Sequence, residues 1–166
     1  MELTKSETVK NWYAVFTKPR AEKKVVERLE ENSIEVFLPL VKTSRQWSDR
    51  KKYVQLPLIP SYVFVHMIEK DLNKVLPFPG TVAVLKHLGK PAKVKQSEID
   101  NLKILSDNAD ASDIISVVKK VGKGDAVMVS KGSFAGLIGV CIKEGNKHRV
   151  VVQIDSLAAA SVWIFH

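Results

Sequence analysis

Between residues 121 and 140 short valine-bearing runs alternate with Gly122, Gly124, Gly132, Gly136 and Gly139, and no other stretch narrows the possible folds as far. Val127 and Val129 lie two apart and share one face of a strand, while Gly132 and Gly136 flank Phe134 in a turn that tolerates positive φ. A helix is disfavoured there. An interior glycine costs a helix about 1 kcal/mol relative to alanine, and valines add smaller β-branched penalties. Strand-type runs at 125–129, 137–142, 148–154 and 161–164, joined by turns such as Lys143-Glu144-Gly145-Asn146, predict a small β-barrel.

Upstream the pattern is mixed. Residues 11–16 are aromatic and β-prone, and Pro19 then favours a helix start. In that helix Ala21, Val25 and Leu29 recur every four residues toward a core, with Glu22, Lys23, Glu27, Arg28, Glu30 and Glu31 on the wet side and Asn32-Ser33 as the stop. Ile34, Val36 and Leu38 alternate as a strand, a polar hairpin arm spans 42–55, and Tyr62-Val63-Phe64-Val65 predicts a central strand. A short helix is expected over 69–76, a turn at Pro77-Phe78-Pro79-Gly80, a strand over 82–85, and a last helix with Ile99, Leu102 and Leu105 as its buried stripe, starting at Ser97 and Asp100. The fold class is therefore α+β: a sheet with packed helices over 1–106, a small and acidic linker over 107–120, and the barrel over 121–166.

Charge is uneven. Residues 1–106 carry 19 basic and 12 acidic side chains against 5 and 3 in residues 121–166, so a polyanionic neighbour is favoured by the N-terminal part. Cys141 is a lone cysteine, the N-terminus lacks the apolar core of a signal peptide, and no apolar run approaches the roughly 20 residues needed to span a bilayer. The expectation is a cytoplasmic, monomeric protein with no membrane association. His66, His87, His148 and His166 are scattered, and no Cys-x-x-Cys or His-Glu-x-x-His spacing occurs, so no metal, no cofactor and no catalytic residue is expected, and an enzyme is the least favoured class.

The order of motifs resembles the NusG family of transcription elongation factors. Gly124-Asp125-Ala126-Val127, the Phe134 turn and the strand holding Gly139 resemble its KOW motif. Trp12-Tyr13-Ala14-Val15, then Pro57-Leu58-Ile59-Pro60-Ser61-Tyr62-Val63-Phe64-Val65 against the family's Pro-Leu-Phe-Pro-Gly-Tyr-Val-Phe-Val, and Pro79-Gly80-Thr81-Val82 resemble its N-terminal domain. The resemblance implies an antiparallel sheet with packed helices followed by an SH3-like KOW barrel. It also implies a factor that binds RNA polymerase and suppresses pausing or termination without chemistry of its own. Ser61 in place of glycine, Ile59 in place of phenylalanine, and an unrelated Asp71-Leu72-Asn73-Lys74 segment point to a specialised, operon-directed member of the RfaH/UpxY type. A ribosome-associated KOW-type RNA-binding protein is the alternative, but it has no reason to carry the two N-terminal motifs.

By position, the resemblance implies that Phe16, Ile59, Tyr62 and Phe64 contact polymerase. Apolar and aromatic groups suit an amphipathic helical partner, although Ile59 and Phe64 fit a core equally well. Lys18, Arg20 and Lys24, with Arg50, Lys51 and Lys52 around Trp47, are the expected contacts to non-template or upstream DNA: cations neutralise phosphate and an aromatic ring stacks on an unpaired base. Lys23 and Arg28, interleaved with glutamates, fit a solvated helix face. Phe134 is the expected KOW contact, with a ribosomal protein or Rho as the partner implied.

Overall fold

The structure is a computed structural model and describes residues 8–108, 114–118, 125–128, 136–144, 147–154, 157 and 160–165. Two compact units divide the chain: residues 1–38 with 60–96, and residues 39–59 with 97–166.

In the first unit, strand β1 (Lys10–Thr17) pairs antiparallel with β5 (Tyr62–Ile68) on one edge and with β6 (Thr81–Val84) and β9 (Lys93–Val94) on the other, while β2 (Glu35–Phe37) flanks β5. Alternation sends Tyr13, Val15, Val63, Val65 and Met67 to one face, where they pack with Val25 and Leu29 of helix α1 (Glu22–Glu31) and with Leu72 and Val75 of a 3-10 helix (Glu69–Val75). Burying one such aliphatic or aromatic side chain contributes roughly 1.5–3 kcal/mol, so this cluster holds the sheet to α1. The helix expected over 69–76 takes this tighter form.

Helix α1 ends as expected. The Asn32 side-chain amide donates to the Arg28 carbonyl at 2.8 Å, and Ser33 turns left-handed at φ 59 while its amide donates to the Glu30 carbonyl. One residue assigned to the wet side belongs elsewhere. Glu22 is buried, and its Oε1 accepts from the Ser61 backbone amide at 2.8 Å. The turn at Ser61 leaves that amide outside the β ladder, and a carboxylate from the first helical turn satisfies it. Arg28 donates through Nη1 to the Pro79 carbonyl at 2.6 Å, tying α1 to the turn that Gly80 makes at φ 99.

In the second unit, β3 (Leu40–Gln46) and β4 (Lys51–Pro57) form the expected hairpin arm, and α2 (Gln96–Asn108) buries Ile99, Leu102 and Leu105 completely. Ser106 Oγ accepts from the Leu40 amide and donates to its carbonyl. The C-terminal strands β10 (Ile114–Val118), β11 (Asp125–Met128), β12 (Ile138–Glu144), β13 (Lys147–Ile154) and β14 (Ala160–Phe165) form an antiparallel sheet in the order β10-β14-β13-β12-β11. Secondary structure therefore enters the stretch expected as linker from both ends: α2 runs to Asn108, and β10 occupies Ile114–Val118. The β-branched run Ile114-Ile115-Ser116-Val117-Val118 carries strand propensity that the small, acidic residues before it do not. Asn101 clasps the start of β12, its carboxamide donating to the Ile138 carbonyl at 2.9 Å and accepting from the Ile138 amide at 3.1 Å.

Candidate functional site

Register builds an aromatic face on the side of the first unit's sheet away from α1. Phe16 stands opposite Tyr62, Ala14 opposite Phe64, Trp12 opposite His66, and Phe37 beside Phe64. All share the parity that Tyr13 and Val15 lack, so they point away from the α1 core. The Phe16 and Tyr62 rings meet edge to face at 5.5 Å, Trp12 stacks on His66 at 4.8 Å, and Phe37 lies 6.5 Å from Trp12 and 6.3 Å from Phe64. His66 is held from its far side, with Nδ1 2.7 Å from Glu35 Oε2.

This arrangement separates the four residues expected at a polymerase contact. Phe16 is 39% exposed and Tyr62 half-buried beside it, so these two form an accessible apolar corner at one end of β1 and β5. Phe64 is fully buried between Ala14 and Phe37, and Ile59, which belongs to the other unit, is buried as well. Sequence reading did not single out Phe37 or His66, although both lie in strand-type runs. Tyr13, on the opposite face, is buried with its hydroxyl 3.4 Å from Glu69 Oε2. Burial, and then the Glu69 carboxylate, push the phenol up to about 12.

The expected basic residues fall into two groups, one in each unit. Lys18, Arg20 and Lys24 are exposed at the start of α1, where Arg20 takes φ 64. Arg50, Lys51 and Lys52 are exposed on the hairpin with Trp47, which is 62% exposed. The hairpin tip is closed by paired backbone bonds between Trp47 and Arg50 at 2.9 and 3.3 Å. Arg45 stands directly across from Lys52, a like-charge pair that disfavours the hairpin in the absence of an anion. Tyr53, on β4, is 74% exposed and was missed by sequence reading; its signal was an aromatic next to three cations in an otherwise polar arm. Phe134 lies outside the described residues. Among the described residues, no group of three His, Cys, Asp or Glu is placed to hold a metal ion, and no helix is long and apolar enough to cross a membrane.

The family model described as transcription termination factor NusG matches residues 10–103, more than half of the chain. The chain belongs to the NusG family. The matched NusG segment takes in the aromatic face, both basic groups and most of α2, and it stops short of the C-terminal sheet. The transcription termination/antitermination protein NusG of Rickettsia bellii is 24% identical over 164 residues, covering 92% of this chain and 84% of that protein. Its Rickettsia felis counterpart is 27% identical over 161 residues, covering 88% and 82%. A solved structure concerned with domain interaction in Thermotoga maritima NusG is 28% identical with a TM-score of 0.50, covering 95% of this chain and 93% of that one.

Proposed function

We propose that this NusG-family chain is a transcription elongation and antitermination factor that binds RNA polymerase and suppresses pausing or termination, specialised for particular operons. The observation that carries the reading is the open Phe16–Tyr62 corner within the family-matched segment. Two adjoining aromatic rings, packed edge to face, suit a hot spot for a helical partner better than the buried Phe64 and Ile59 do. The names of the Rickettsia relatives support a role in termination and antitermination. Specialisation rests on Ser61, Ile59 and the 71–74 segment.

In this reading residues 1–106 grip polymerase, 107–120 connect, and 121–166 form a KOW barrel that recruits a second partner, a ribosomal protein or Rho, through Phe134. Lys18, Arg20 and Lys24, and Arg50, Lys51 and Lys52 with Trp47, touch non-template or upstream DNA. The protein performs no catalysis of its own. The experiment is polymerase pull-down by the Phe16→Ala/Tyr62→Ala double variant, with circular dichroism as the control for folding. Loss of at least tenfold in affinity by a folded variant is expected, in line with truncating a central aromatic anchor. Undiminished binding would remove this corner from the polymerase contact.

A further inference from the structure

On the first unit, a groove of about 770 Å³ runs beside β6, and its walls include Leu72 of the 3-10 helix, Leu76 just after it, Val82, Ala83 and Val84 of β6, and Pro91. Three consecutive strand residues line it. The register with β1 shifts between Phe16 and Thr17, leaving Val82 as an extra residue on β6, and the cavity runs along this irregular edge of the strand. That edge is open: β6 pairs with β1 on its other side, and no strand pairs with its outer side among the described residues. The Leu85 amide donates inward to the Ala14 carbonyl at 2.9 Å, so by alternation the amide and carbonyl of Val84 face outward into the groove.

The rim is cationic. Lys70, Lys86 and Lys93 line it against the single carboxylate of Glu69, which already lies 3.8 Å from Lys93 and accepts from Tyr13. Lys70 and Lys86 make no ion pair among the described residues. Beyond Lys86 the hairpin β7 (Lys86–His87) and β8 (Lys90–Pro91) overhangs the groove. At its tip Leu88 is 90% exposed and held at φ 50, a conformation that branched side chains rarely adopt.

We propose that this groove docks an extended peptide segment of another protein, alternating acidic and apolar residues, as an added strand on the outer edge of β6. Its apolar side chains rest on Leu76, Val82 and Pro91, its carboxylates meet Lys70 and Lys86, and its backbone completes the outward groups of Val84. The proposal is independent of the polymerase reading, because neither Phe16 nor Tyr62 lines the groove.

The test titrates the full chain into two short fluorescein-labelled peptides, one alternating Asp and Val and the other Lys and Val. Anisotropy reports affinity, and backbone amide shifts of Val82, Ala83 and Val84 report the location. The Asp-Val peptide should bind more weakly as salt rises and shift those amides, while the Lys-Val peptide should not bind. Lys70→Glu/Lys86→Glu, which changes only exposed side chains, should weaken Asp-Val binding at least tenfold. Val84→Pro, which removes the outward amide but no bond to β1, should weaken it comparably, provided its dichroism is unchanged. Absence of Asp-Val binding up to millimolar peptide would overturn the proposal and leave the lysines as guards of a bare sheet edge. Equal binding of both peptides, or binding without shifts at 82–84, would overturn it too.

Discussion

Ser61 holds a left-handed backbone at φ 66 where the family motif quoted above has glycine, and both of its backbone groups are engaged: its amide with Glu22, its carbonyl with the Thr17 amide at 2.9 Å. An L-residue in that conformation carries strain of about 1 kcal/mol that glycine does not. Ser61→Gly should therefore raise stability by about 0.5–1 kcal/mol. Glu22→Ala should lower it by about 1 kcal/mol by leaving a half-buried amide without its acceptor. Urea midpoints of the two variants check both signs. Tyr13 supplies a pH test. Its folded-state phenol is raised to about 12 from an ordinary value of 10, so the neutral form is favoured by folding. Its contribution is complete below pH 10 and is lost as pH rises from there through about 12. A shift of that size corresponds to on the order of 1–3 kcal/mol at the alkaline end. Tyr13→Phe, followed by denaturant unfolding at several alkaline pH values, should flatten that part of the pH dependence.

At the scale of elements, the β3–β4 hairpin carries opposed cations that the proposed DNA contact would neutralise. Opposed Arg45 and Lys52 repel, and Lys51 and Arg50 add further positive charge beside the exposed Trp47 and Tyr53. A two-stranded ribbon is marginal by itself, and the like-charge pair near its tip lowers its stability further. Lys52→Glu should move two observables in opposite directions. It should stabilise the hairpin by roughly 0.2–1 kcal/mol through a new cross-strand pair. It should also weaken binding to single-stranded DNA and reduce the salt slope of log K by about 0.7 or more. Amide exchange at β3 and β4 reads the first effect, and anisotropy at two salt concentrations reads the second. An unchanged salt slope would return the hairpin cations to a solvated surface.

For the whole molecule, the prediction concerns the C-terminal region, where strands β11 to β13 occupy the glycine- and valine-rich stretch. Backbone chemical shifts of the intact chain should be strand-like across the described parts of 125–154 and at Ile114–Val118; helical shifts in either would contradict this arrangement. The β character of this region was legible in the sequence, because glycine and valine penalise a helix wherever they stand. The stripes of α1 and α2 were legible too, since Val25 and Leu29, and Ile99, Leu102 and Leu105, recur at the helical period and all are buried. The NusG likeness was carried by local motifs and did not depend on packing. What the tertiary structure decided was which apolar residues stay open. Trp12 to Phe16 and Tyr62 to Val65 are apolar on both faces, so alternation divides them into two sets without saying where either set is covered. Phe16 stays open while Phe64, of the same parity, is enclosed beside Phe37 because of what packs around each ring. Glu22 and Arg28 fit the wet face of a helix by period, yet one satisfies Ser61 and the other Pro79. Those backbone groups belong to turns more than 30 residues away in the chain, and helical periodicity carries no information about them.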